Sequence, residues 1–229
     1  MKYIGSKNKY SNDILPFILN NRQPNQFYVE PFVGGFNLID KVSGNRIGND
    51  IHFYLIELFK AIQNGWIPPD NISIDEYIDI RINKDKYPSY LVGFVGFGCS
   101  FSGKWFGGYA RGANRNYALE SKKNLLKQAP YLKGIIIENK SYNELVIPDN
   151  SIIYCDPPYN NTTKYKNSID YDIFWQWCRD KSIQGHKVYI SEYNAPSDFI
   201  SIWNKTVHSD LKVSKDNKTN IEYLFIYNI

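Results

Sequence analysis

The run Ser151-Ile152-Ile153-Tyr154-Cys155, stopped at once by Asp156-Pro157-Pro158-Tyr159, constrains this chain most. An unbroken apolar run of this length between turn signals reads as a buried strand. The two prolines fix φ and restrict the residue before each of them, so the strand ends there in a pre-shaped loop. A carboxylate, a stiff turn and an aromatic ring therefore stand at the carboxyl end of a strand, the edge where open α/β sheets bind ligands. Such a loop suits a flat amino-bearing ring, with acceptors for the amine and a face for stacking. An ordinary strand-to-helix turn with a solvated acid would use the same residues.

The rest of the chain alternates strand and helix signals. Phe27 to Glu30, Arg46 to Asp50, Gly134 to Glu138, Lys187 to Ser191 and Ile221 to Ile226 read as further strands. Helical spacing appears at Ile14, Leu15, Ile18 and Leu19, over residues 53–64, and over 171–184. A helix is also expected after Gly35, carrying Leu38, Ile39 and Val42 and ending at Gly44-Asn45. This alternation predicts an α/β fold with a mostly parallel sheet. After Pro68-Pro69 the texture changes to helical segments separated by glycines and aromatics. Residues 1–66 and 131–229 therefore read as one domain and 67–130 as an insertion. Ser214 to Asn220 reads as a hairpin loop.

Composition narrows the function classes. With 229 residues, 43% of them hydrophobic, the chain can bury a substantial core. It has no apolar run of about eighteen residues, so no membrane span is expected, and Met1 to Gly5 is not the start of a secretory leader. Cys99, Cys155 and Cys178 are scattered, which points to a reducing cytoplasm. His52, His186 and His208 form no ligand-spaced cluster, so no metal is expected. A net charge of +4 permits a polyanionic partner without requiring one. Aromatics at 16% suit base stacking as well as core packing.

Two further constellations accompany the Asp156 loop. In Glu30-Pro31-Phe32-Val33-Gly34-Gly35 a strand runs into glycines, which lets backbone approach a ligand; a plain turn reads the same way. Asp50 follows Gly35 by fifteen positions, at the end of the next strand, where nucleotide-binding α/β folds keep the acid that holds ribose hydroxyls. The chain lacks the phosphate-loop lysine motif, and its glycines do not follow GxGxxG. The N-terminal Lys2-Tyr3-Ile4-Gly5-Ser6-Lys7 is either a frayed end or a site element.

The ordered set resembles the Dam-type DNA adenine-N6 methyltransferases, most closely a compact phage-like branch. The resemblance rests on the KxxGxK-like start, the EPFVGG loop, Asp50, the insertion and DPPY, and it spans nearly the whole chain. It implies a Rossmann-like S-adenosylmethionine-dependent methyltransferase fold with a helical DNA-recognition insertion. It further implies double-stranded DNA as partner, cytoplasmic action in a bacterial or phage-infected cell, and a monomer or weak dimer. Tyr3, Lys7, Phe32, Gly34, Gly35, Asp50, Tyr142 and Asp156 would then meet the cofactor. Asp156 and the Pro157 carbonyl would accept hydrogens from the adenine amine, and Tyr159 would stack on the flipped base. Lys104, Arg111 and Arg115, interleaved with Trp105, Phe106, Tyr109 and Tyr117, would contact DNA. Ser191 to Asn194 would line the base pocket or simply end a strand. Phe36, His52 and Ser141 depart from the residues common in that family. Methylation of the cytosine amine poses the same geometric problem, and a silent DNA-binding protein or an RNA or protein methyltransferase would keep the same fold.

Overall fold

The computed structural model describes residues 1–159, 169–208 and 219–228. Seven strands form one sheet: β1 (Tyr28–Glu30), β2 (Arg46–Asn49), β3 (Ile135–Glu138), β4 (Ile152–Cys155), β5 (Lys187–Glu192), β6 (Phe199–His208) and β7 (Thr219–Tyr227), in the order β3-β2-β1-β4-β5-β7-β6. The first five run parallel, while β7 is antiparallel to both of its neighbours. The expectation of a mostly parallel α/β sheet therefore holds. The order reverses between β1 and β4, and at such a switch point the loops diverge and leave a crevice. Glu30, Asp50 and Asp156 all leave the sheet at that edge.

Both sheet faces are buried, and the alternation of side chains along β4 shows how. Ile152 and Tyr154 join one core with α1 (Ser11–Ile18), α2 (Phe53–Gln63) and α5 (Tyr117–Leu132). Ile153 and Cys155 point the other way and pack against Phe174, Trp175 and Cys178 of α6 (Tyr171–Ile183). A strand covered on both sides has no need of polar alternation, which is why 151–155 reads as continuously apolar.

Residues 67–130 add α3 (Ile74–Ile82), α4 (Ser89–Gly93) and most of α5. Their apolar residues Tyr77, Ile80, Val92 and Phe94 merge into the core beneath the sheet. The glycine-rich stretch after Val92 is helical throughout: α4 continues into a π turn over Phe94–Gly98. Gly93 is required there, because a Cβ would lie 2.1 Å from the Tyr54 carbonyl oxygen of α2.

One local expectation fails, and one strand answers to no expectation. The helix expected after Gly35 is replaced by turns and a 3-10 segment at Ile39–Lys41. Gly34 (φ 49°) and Phe36 (φ 57°) take left-handed backbone, which a right-handed helix cannot accommodate. The resulting turn drives the Phe36 ring into the core against Phe59, over the bare backbone of Gly48. The strand without an expectation is β6, which pairs with β7 along its length. The hairpin-loop reading of 214–220 lies outside the described residues for 214–218, and residues 219 and 220 already belong to β7.

Candidate active site

The Asp156 loop is built from four directions. β4 delivers Asp156 at the sheet edge. From the N-terminal segment, Lys7 reaches it with its Nζ 2.9 Å from Asp156 Oδ1. Lys7 is only 8% exposed, far from the frayed terminus its position suggests. Its ammonium also lies 3.5 Å from Glu222 Oε1 on β7 and 4.5 Å from the centre of the Tyr159 ring. The Tyr159 hydroxyl donates to Glu222, and its ring meets Tyr193 edge-on at 4.6 Å. Burial pushes the Asp156 carboxyl above its ordinary range, and the Lys7 ammonium pulls it back. Burial likewise raises Glu222, again opposed by Lys7.

The carbonyl side of the loop is held from α6 and β5. The Tyr171 hydroxyl lies 2.5 Å from the Pro158 carbonyl oxygen and 3.1 Å from Glu192 Oε2. Glu192, buried at the end of β5, is pushed up to about 7, mainly by burial. The Tyr171 hydroxyl is the donor to both oxygens, and its donation to Glu192 favours the ionised carboxylate against the effect of burial. Ser191 is also buried, with its hydroxyl 2.8 Å from that of Tyr154, so this pair completes the strand. The Cys155 thiol is buried beside Cys178 and pushed well up, which removes it as a nucleophile.

A second group of residues gathers around β1 and β2. Asp50 accepts the Gly34 N–H at 3.1 Å on one oxygen and the His52 N–H at 2.9 Å on the other. It therefore ties the glycine loop to the start of α2. His52 caps that helix by accepting the Leu55 N–H, with its ring against Trp105 at 4.4 Å. Burial lowers this imidazole to about 4, so it is neutral at physiological pH. Asn49, absent from the sequence-based candidates, is fully buried. Its amide donates to the Pro31 and Lys140 carbonyls and accepts the Lys140 N–H, joining the loops that follow β1 and β3. A buried Asn at the last position of a strand, next to an acid, was the available signal.

Tyr3 lies on the two glycines. A Cβ on Gly34 would sit 2.7 Å from Tyr3 Cε1, and one on Gly35 2.8 Å from Tyr3 Cβ. Phe32 packs against Tyr142 at 5.3 Å and Phe174 at 5.8 Å. The predicted residues thus fall into two clusters: Lys7, Asp156, Pro157 and Tyr159 around β4, and Tyr3, Phe32, Gly34, Gly35, Asp50 and Tyr142 around β1 and β2.

Lys104, Arg111 and Arg115 lie apart, on an exposed segment. Residues 99–110 turn back on themselves through Phe101 N–H to Gly108 O and Ala110 N–H to Cys99 O. Gly103 packs on the Lys2 carbonyl, which sets this turn against the N-terminal segment. Arg115 is already engaged by both Glu120 oxygens, at 2.8 and 2.6 Å, and lies over the Tyr117 ring.

Among the described residues no group of three or more His, Cys, Asp or Glu is arranged to hold a metal, and no helix is long and apolar enough to cross a membrane.

Comparison with known proteins places the chain in a family. Type II methyltransferase M.FokI of Planomicrobium okeanokoites is 23% identical over the whole of this chain, which spans 38% of that relative's length. The profile of the D12 class N6 adenine-specific DNA methyltransferases matches residues 3–89 and 102–219, taking in both clusters and most of the exposed segment. With nearly the whole chain matched, the protein belongs to the D12 class N6 adenine-specific DNA methyltransferase family.

Proposed function

We propose that this chain transfers the methyl group of S-adenosylmethionine to the N6 amine of adenine in double-stranded DNA, acting on a base rotated out of the duplex. The observation that carries this reading is the placement of Asp156 and Asp50 at one edge of the sheet, on either side of the switch point, each held by the contacts described above.

The residues fit the cofactor. Each Asp50 oxygen takes one backbone N–H and keeps a lone pair for a ribose hydroxyl. Phe32 and Tyr142 offer an aromatic wall for the purine, while Tyr3, Gly34 and Gly35 border the methionine end. When bound, S-adenosylmethionine supplies an electrophilic methyl group on a positively charged sulfur.

The protein's part is to make a poor nucleophile ready. The lone pair of an adenine amine is delocalised into the ring. Asp156 and the Pro157 carbonyl accept its two hydrogens, which turns the nitrogen toward tetrahedral geometry and aims the lone pair at the methyl group. Fixed acceptors stabilise the charge that develops, and the fixed strand ends orient the partners. Lys7 opposes the effect of burial on Asp156 and so favours the ionised form, which accepts rather than donates. Tyr159 stacks on the flipped base. Residues 67–130 act as the recognition insertion, with Lys104 and Arg111 free to meet phosphates.

Incubating purified protein with methyl-labelled cofactor and adenine-containing duplexes tests this reading. Label is expected in N6-methyladenine; label found only in cytosine, RNA or protein would refute it. Asp156→Ala should lower kcat by about 10²–10³-fold with an unchanged circular dichroism spectrum. Turnover near the wild-type rate would remove Asp156 from the mechanism.

A further inference from the structure

Glu222 stands on β7, outside every motif that marks the site, yet it is 4% exposed and its carboxylate meets two members of the Asp156 cluster. A buried carboxylate at the antiparallel end of the sheet is costly unless something uses or balances it. Its two partners are the Tyr159 hydroxyl and the Lys7 ammonium. The latter is the same cation that contacts Asp156.

We propose that Glu222 is a positioning residue for methyl transfer: it anchors the stacking ring of Tyr159 and, by sharing Lys7 with Asp156, sets the ionisation of the amine acceptor. This inference rests on the proposed adenine methyl transfer. The geometry gives Glu222 two separable actions. As an acceptor, it fixes the Tyr159 ring against Tyr193. As an anion, it competes for Lys7 and so weakens that cation's hold on Asp156. The groups facing Asp156 are Lys7 from the N-terminal segment, Tyr159 on the same loop, Glu222 on β7, Tyr154 and Cys155 on β4, Glu30 on β1 and Glu192 on β5. Among these, Lys7 is the cation and Glu222 is the carboxylate that shares it.

Two variants separate the actions. Glu222→Gln keeps an acceptor for Tyr159 and removes the charge. Lys7 then serves Asp156 alone, so the acid limb of the kcat profile should move to lower pH by roughly one unit. Glu222→Ala removes the acceptor as well and should lower the kcat plateau about tenfold below that of Glu222→Gln. Tyr159→Phe, which leaves Glu222 in place, should lower kcat in the wild type and add little in the Glu222→Ala background. An acid limb that stays in place in Glu222→Gln overturns the proposal. So does a Tyr159→Phe loss that is fully additive with Glu222→Ala. Wild-type protein assayed alongside separates the two levels: a wild type that fails to methylate adenine refutes the activity itself, whereas an active wild type with unresponsive variants refutes only the role of Glu222.

Discussion

Lys7 places its ammonium 2.9 Å from Asp156 Oδ1 across 149 positions of sequence, and the pair is largely shielded from solvent. A basic residue near the start of the chain thereby opposes the effect of burial on a carboxylate at the carboxyl edge of the sheet. Replacing Lys7 by Met should leave burial opposed only by the Tyr159 hydroxyl at Asp156. The acid limb of the kcat profile should rise by roughly one to two units, opposite in sign to the Glu222→Gln shift. Rates measured from pH 5.5 to 9 would show this, with the variant losing most at the acid end.

In the proposed mechanism Asp50 would link cofactor binding to the loop geometry it holds through Gly34 and His52. Asp50→Ala should weaken S-adenosylmethionine binding roughly a hundredfold, the worth of two hydrogen bonds to a charged acceptor. It should also loosen the Gly34 and His52 backbone. Calorimetric titration with the cofactor checks the affinity. A loss confined to kcat, with Kd unchanged, would contradict the assignment.

Arg111 and Arg115 look equivalent in sequence and are not so in the fold. Arg115 is held in a bidentate pair with Glu120, whereas Arg111 is exposed with its guanidinium 6.0 Å from the Tyr109 ring. Arg111→Ala should reduce the slope of log K against log salt for duplex binding by about one, and Arg115→Ala should reduce it less. Fluorescence anisotropy at several salt concentrations measures both.

Glu192 gives a stability signature. Its folded pKa is raised to about 7, so the stability it confers is fully present below its unfolded value and is lost as pH rises through the folded one. Glu192→Gln removes that loss. Between pH 5 and pH 8 the variant should gain on the wild type by on the order of 3 kcal/mol, read from urea unfolding at the two pH values.

What the sequence disclosed follows from where its patterns are local. The strand at 152–155 and the acid behind it are legible because the sheet buries both faces of β4. The helix at 53–63 is legible because its one apolar stripe faces the core. Glu222 and Asn49 are illegible for the converse reason, and Lys7 is marked only through the family resemblance. Each has a role fixed by partners far away in sequence, and no local period marks them. The turn at 34–36 misleads because Leu38, Ile39 and Val42 mimic helical spacing while the backbone before them is left-handed.

The N-terminal strap lays Tyr3 on Gly34 and Gly35 and, four residues later, Lys7 on Asp156. One short segment therefore spans both halves of the site. A ligand that shifted the strap at the glycine end would also change the electrostatic setting around Asp156. Thermodynamic linkage makes such an effect reciprocal: the factor by which cofactor alters affinity for duplex must equal the factor by which duplex alters affinity for cofactor. In the proposed reaction the first residues of this chain would thus act as a lever between its two substrates.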